Sequence, residues 1–467
     1  MDKIILLDLI LLVIFSLAIA IFLYKNRRSL KREGLLFLFK TQLGVSFIER
    51  FAKKNEKILR KMGYPIIFLS IILMIIIFSL FLFNAYSYVR FPKEVKEATN
   101  GAVPVAPVIP YFPQIFGLDN YFPNFYFIYF IIVFSIVALF HEFSHGIFMK
   151  LYNVRIRSTG FLFLGPILGA FVEQDDKQFR KKKNYEQMVV LGAGVFSNFM
   201  LAIFFFFILV IFFYTFYNPS GYIISNYAYE FIDGKNISYT ENYSEDFLKV
   251  ITKDNNSYFL PLKVYEKINF SESENLLVFY DSPAFRNNLS GVIREIDGKK
   301  IRNFQDFREE ILKKNPSQKI NITIMNKDGE IKTYEISLST NPHNSSLGFL
   351  GISTPFVSPP KSLFKKAIYY LAFFKNPYTY YESIIDKKIT EFFYYFIWWC
   401  ALINLFVALF NMLPFSIFDG GRFSYLLFLS LFKKESYAKA AYKVISSLVV
   451  LSLILIIFSW LISKIVF

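Results

Sequence analysis

Cysteine is nearly missing from this chain of 467 residues: Cys400 stands alone, so no internal disulfide can form. Histidine is almost as scarce, with three in all, and two of them, His141 and His145, lie four positions apart. Acidic residues are outnumbered, 36 against 52 basic ones, which leaves a formal net charge of +16. Such an excess can signal nucleic-acid binding. Here the basic runs flank long apolar segments, where Lys and Arg hold loops on the cytoplasmic side. No nucleic-acid partner is expected. The first apolar segment, Ile4 to Tyr24, lacks a small-residue cleavage site and is too long for a signal-peptide core, so it reads as a retained span. There is no internal repeat, and nothing resembles an activated serine or cysteine.

What the chain has in quantity is apolar surface: 54% hydrophobic and 20% aromatic residues. Six segments are long enough to cross a bilayer, near 4–24, 64–86, 123–150, 187–217, 391–413 and 442–466. The expected fold class is therefore a polytopic α-helical membrane protein with about six transmembrane helices. Loop 25–61 carries Lys25, Arg27, Arg28, Lys31, Arg32, Lys53, Lys54 and Arg60. Loop 151–186 carries Arg180 to Lys183, and the last loop Lys433 and Lys434. All three agree on one topology, with these loops cytoplasmic and both termini and the stretch 218–390 outside.

Within that outer stretch, 218–278 is rich in Asn, Ser and Tyr and shows no clear period. Residues 279–340 alternate, as half-buried strands do, at Gly291 to Ile296 and Ile320 to Ile324. Asp297-Gly298 and Asp328-Gly329 mark turns, and Phe304 to Leu312 has helical spacing. Residues 361–388 read as an interfacial segment.

The sharpest chemical signal is His141-Glu142-Phe143-Ser144-His145. On a helix, positions i and i+4 share a face, so both imidazoles reach one metal ion, with Glu142 beside them. The run Phe125 to Phe140 before it is almost wholly apolar. Polar groups at the end of such a span must be solvated by partners, a cavity or a metal. A catalytic zinc ordinarily takes a third protein ligand. His343, in a loop after Pro342, is a poor candidate. Asp419 is better, because Pro414 should break its span and Gly420-Gly421 permits unusual backbone. A simple capping role for Asp419 on the helix that follows is the alternative.

An HExxH motif in a membrane span, with Asn411-Met412-Leu413-Pro414 leading to Asp419-Gly420, resembles the site-2 protease family of intramembrane metalloproteases. Gly165 to Asp176 is similar to the family's re-entrant β-hairpin, and Leu191 to Ala202 to its G-x-x-x-N span, with Val195 where Pro is common. The run from Asp281 to Phe307 resembles a circularly permuted PDZ domain. The resemblance implies one catalytic zinc ion on His141, His145 and Asp419, with Glu142 as general base. It implies transmembrane protein substrates, and an extracytoplasmic α+β PDZ-like domain that filters them. Asn198, Asn404, Asn411, Gly169 and Phe171 are the expected supports for substrate or transition state, and the hairpin can offer a strand edge to an unwound substrate. The implied domains are 1–122 (the first two spans), 123–217 (spans three and four with the hairpin), 218–360 (the outer region) and 361–467 (the last two spans). The active site is then expected towards the cytoplasmic side. A scaffold without catalysis would leave the ligand set degraded. A transporter would call for paired inverted repeats.

Overall fold

The computed structural model describes residues 3–34, 36–164, 167–265, 275–353 and 374–466. Among these, six helices are long and apolar enough to cross a membrane. They are α1 (Lys3–Lys25), α3 (Glu56–Arg90), α6 (Phe127–Leu151), α8 (Asn184–Phe216), α12 (Lys387–Asn411) and α14 (Glu435–Val466). Shorter helices lie between them: α2 (Val45–Lys54), α4 (Pro92–Ala98), α5 (Phe112–Ile115), α7 (Asp176–Arg180) and α13 (Asp419–Phe432). Large apolar side chains such as Leu7, Phe83, Phe204 and Ile454 are exposed on the long helices. That is the surface a bilayer covers and water would not.

Contacts divide the chain into two compact units, 1–209 with 391–467, and 210–390. The first unit holds all the long helices apart from the ends of α8 and α12. One of its cores gathers Ile66, Leu73, Val189, Val195, Met412 and Phe423 from α3, α8, α13 and the turn before α13. Another is aromatic, with Phe125, Tyr129 and Trp399 almost fully buried. Asp8, close to the start of α1, is buried too. Its carboxylate accepts the Phe127 and Ile128 backbone N–H groups at 2.6 and 2.9 Å and the Tyr111 hydroxyl. These N–H groups are donors left open at the first turn of α6, so α1 supplies the side-chain cap that the N-cap residue Tyr126 does not. Asp8 is helix-paired, one of the ordinary roles open to an acid at a span's end.

The charged loop after α1 forms β1 (Leu30–Glu33) and β2 (Leu36–Thr41). They join β3 (Ile156–Leu164) and β4 (Ile167–Gln174) in an antiparallel sheet of order β1-β2-β3-β4. The hairpin resemblance placed on 165–176 thus covers only its second strand. Gly165 and Pro166 lie outside the described residues. The glycines at 160 and 169 sit within the strands and not in turns. A Cβ on Gly160 would lie 2.1 Å from the Phe39 carbonyl oxygen and one on Gly169 2.9 Å from the Leu162 side chain, so close packing is what they provide.

The second unit, 210–390, contains two larger sheets. One has the order β14 (Ile331–Ser337), β13 (Lys319–Met325), β11 (Gly291–Ile296), β5 (Tyr217–Ile224), β17 (Thr379–Ser383), with the two-residue β12 (Lys299–Lys300) paired to β11. The other has the order β6 (Tyr229–Asp233), β10 (Asn275–Tyr280), β9 (Ser257–Pro261), β8 (Phe247–Thr252), β7 (Ile237–Asn242). Three small helices accompany them, α9 (Leu262–Tyr265), α10 (Pro283–Arg286) and α11 (Phe304–Ile311), with a hairpin of β15 (Ser339–Asn341) and β16 (Asn344–Phe349). The expected strands and helix at 291–296, 320–324 and 304–312 are present, and Asp297 and Gly298 turn the chain with positive φ, 49° and 77°. The described residues of the stretch 218–278, which looked aperiodic, are instead largely strand. In β8 Leu248, Val250 and Thr252 are buried with Phe247, Lys249 and Ile251 half-buried between them, whereas in β9 Tyr258, Phe259 and Leu260 are buried in a row, so no single period runs through the stretch. Of the segment read as interfacial, 361–373 lies outside the described residues, and 379–383 is β17, paired to β5.

Candidate active site

The four-residue spacing on α6 puts His141 and His145 one above the other, and both are buried. Their Nε2 atoms approach to 3.0 Å. Asp419 Oδ2 lies 3.2 Å from the first and 3.3 Å from the second. The aspartate arrives from the other end of the sequence because the chain breaks where Pro414 was expected to break it. Helix α12 stops at Asn411, and tight turns carry the backbone through 412–418. Asp419 is the first residue of α13, after Phe418 at the N-cap position, and its carboxylate is directed to the two histidines. Two glycines follow because the turn packs on the new helix. A Cβ on Gly420 would sit 2.4 Å from the Met412 backbone, and one on Gly421 would sit 2.4 Å from the Phe415 carbonyl.

Two imidazole nitrogens and a carboxylate oxygen form a donor set suited to zinc. Tetrahedral coordination with bonds of about 2.0–2.1 Å puts ligand atoms roughly 3.3 Å apart. The observed separations of 3.0, 3.2 and 3.3 Å fit that triangle. No other His, Cys, Asp or Glu cluster among the described residues converges in this way.

Glu142 turns to the adjoining sheet. Its Oε2 accepts the Val172 backbone N–H of β4 at 2.9 Å. β4 is the last strand of its sheet, and among the described residues no strand pairs with its outer side. Since Val172 directs its N–H outwards, the period of two makes Ala170 and Leu168 direct theirs outwards as well.

The opposite wall is α8. Val190, Gly194 and Asn198 follow one another at four-residue intervals, and each meets the histidine pair. The Val190 carbonyl is 2.7 Å from His145 Nδ1. A Cβ on Gly194 would lie 2.5 Å from His145 Nε2 and 2.7 Å from His141 Cε1, so only glycine leaves room for the rings. Asn198 is fully buried, with Nδ2 3.1 Å from His141 Nδ1.

Of the other expected supports, Asn404 is fully buried and donates to the Cys400 carbonyl of its own helix at 2.8 Å. Asn411 is half-buried at the end of α12. Gly169 faces Leu162, and the Phe171 ring lies over Gly160. None of these four is brought into contact with the histidines or Asp419 by the geometry described. Sequence reasoning missed the roles of Val190, Gly194 and the Val172 amide. The i, i+4, i+8 stripe on α8 was the available signal for the first two. The Val172 contact left no signal, since it is made by backbone.

The model of the family described as peptidase family M50 matches residues 129–456, which take in nearly all of α6, the β3–β4 hairpin, α8, α12, α13 and most of α14. The chain is 27% identical over 418 residues to an uncharacterized protein of Methanocaldococcus jannaschii, an alignment covering 88% of this chain and 83% of that protein. With the family match spanning most of its length and six helices able to cross a bilayer, this chain belongs to peptidase family M50, the site-2 proteases, and is a multi-pass membrane metalloprotease.

Proposed function

We propose that the protein is a zinc endopeptidase that hydrolyses peptide bonds in or near transmembrane segments of membrane-protein substrates, with His141, His145 and Asp419 as metal ligands and Glu142 as general base. The observation that carries this reading is the convergence of one carboxylate oxygen and two imidazole nitrogens, from two separate helices, to within 3.3 Å. Bound there, zinc would polarise the scissile carbonyl and lower the pKa of its water from about 15.7 towards 7. Glu142 Oε2 is anchored by Val172, which orients the carboxylate. Its Oε1 takes the proton of the attacking water and delivers it to the departing amine nitrogen. No covalent acyl-enzyme is required.

A helix satisfies its backbone internally, so a transmembrane substrate must unwind before attack. The outer edge of β4 supplies Ala170 and Leu168 backbone groups for the unwound strand, next to the base. The distribution of the basic loops supports a metal site towards the cytoplasmic side, with the termini and the sheets of 210–390 outside. There a PDZ-like module spanning about 279–340 would select or exclude substrates. Replacing Glu142 by Gln should retain zinc, measured by metal analysis, and lower cleavage of a model transmembrane substrate by about 10²–10⁴-fold. Equal cleavage by both proteins would eliminate Glu142 as the base.

A further inference from the structure

We infer that Asn198 is a positioning residue that fixes the tautomer of His141 by accepting its Nδ1–H through the side-chain carbonyl; this rests on the zinc reading above. His141 and His145 turn Nε2 towards Asp419. A neutral imidazole that ligates through Nε2 carries its proton on Nδ1, which then needs an acceptor. For His145 the acceptor is the Val190 carbonyl, 2.7 Å away. For His141 the group in reach is the Asn198 amide, at 3.1 Å.

The amide is presented with its nitrogen to the ring, and its Oδ1 is buried without a hydrogen-bond partner. Two donors face each other across one short contact, while an acceptor is stranded beside it. A half-turn of the amide plane turns this donor–donor contact into a donor–acceptor one and gives Oδ1 the partner it lacks, with Nδ2 moving to the buried position that Oδ1 held, because the two ends of an amide have nearly the same shape. Oδ1 then receives the Nδ1–H, and Nε2 keeps its lone pair for the metal.

The same stripe of α8 thus serves both ligands: Val190 by its backbone, Asn198 by its side chain, and Gly194 between them by having none. Neither Asn198 nor Val190 touches the reacting atoms in this assignment. Their effect passes through the imidazoles.

The test compares zinc retention in the full-length protein for wild type, Asn198→Asp and Asn198→Leu, titrated with a chelator. Asp keeps an acceptor at the position and Leu keeps the bulk alone. Wild type and Asn198→Asp should hold zinc alike, and Asn198→Leu should release it at about 10–100-fold less chelator. With only three histidines in the chain, ¹⁵N-histidine spectra of the zinc-loaded wild type can be assigned, using His343→Gln to remove the third. They should show His141 protonated at Nδ1. Equal chelator sensitivity of Asn198→Leu and wild type, or a proton on His141 Nε2, overturns the assignment. A wild type that holds no zinc at all overturns the metal reading beneath it, which is a separate and recognisable result.

Discussion

A single missing side chain decides whether the two histidines can stand where they do. Gly194 lies under both rings, and an added methyl would come within 2.5 Å of His145 Nε2. The close neighbours are ring atoms held by buried partners, so they have little freedom to retreat. Gly194→Ala should therefore abolish zinc retention and cleavage together, while the long helices keep their circular-dichroism signature; metal analysis on the purified variant checks it. An alanine variant with normal zinc would show that the rings can move after all. At this scale the sequence was informative in one direction only. His141, Glu142, His145 and Asp419 declare themselves by type and spacing. Gly194 is marked only as the glycine of the G-x-x-x-N stretch and Val190 not at all, because a glycine and a carbonyl carry no chemistry until something is packed against them.

Elements matter through their edges and turns. If the outer edge of β4 receives substrate, the Ala170 N–H is a donor to it, whereas the sheet itself does not use that group. Proline is tolerated on an edge strand whose N–H faces away from the sheet. Ala170→Pro should then keep zinc and fold yet lower kcat/KM for a transmembrane substrate about tenfold, the worth of roughly one backbone hydrogen bond. Unchanged kcat/KM would argue against strand addition at this edge. A second prediction concerns α11. The Lys299 ammonium, bonded to Glu310 at 2.7 Å, holds that carboxyl below its ordinary 4.5, and Lys313 adds to this against the effect of burial. A lowered carboxylate pKa contributes stability above the unfolded value, and this is lost as pH falls through the folded value. The protection of Phe304–Ile311 against hydrogen exchange, corrected for the intrinsic pH dependence of the exchange rate, should accordingly fall once the pH drops below about 4 and be unaffected between about pH 6 and 8. The long helices and the strands at 291–296 and 320–324 were legible from periodicity. The pairing of β1–β2 with β3–β4 was not, since a basic loop gives no hint of which distant strand it will join.

At the scale of the whole molecule, the arrangement across the membrane rests on charge. Because Cys400 is the chain's one cysteine and is buried, introduced cysteines can be labelled against almost no background. Ser244→Cys should react with a membrane-impermeant maleimide on intact cells, and Lys182→Cys only after permeabilisation. The reverse pattern would invert the proposed topology and leave the metal site untouched. The family match runs through both compact units, from 129 to 456.

The amino-acid sequence by itself determined the membrane-spanning segments, the HExxH pair and the broken span that carries Asp419. Each follows from local rules: length of apolar run, helical period, and the backbone limits of proline and glycine. Tertiary structure alone decided that Asp419 meets the histidines, that Glu142 is tied to the edge of β4, and that α8 backs both rings. These contacts join residues from about 30 to nearly 280 positions apart. No periodicity reaches across such a distance; only the packing of helices against one another, and of a sheet edge against a helix, brings those atoms within bonding range.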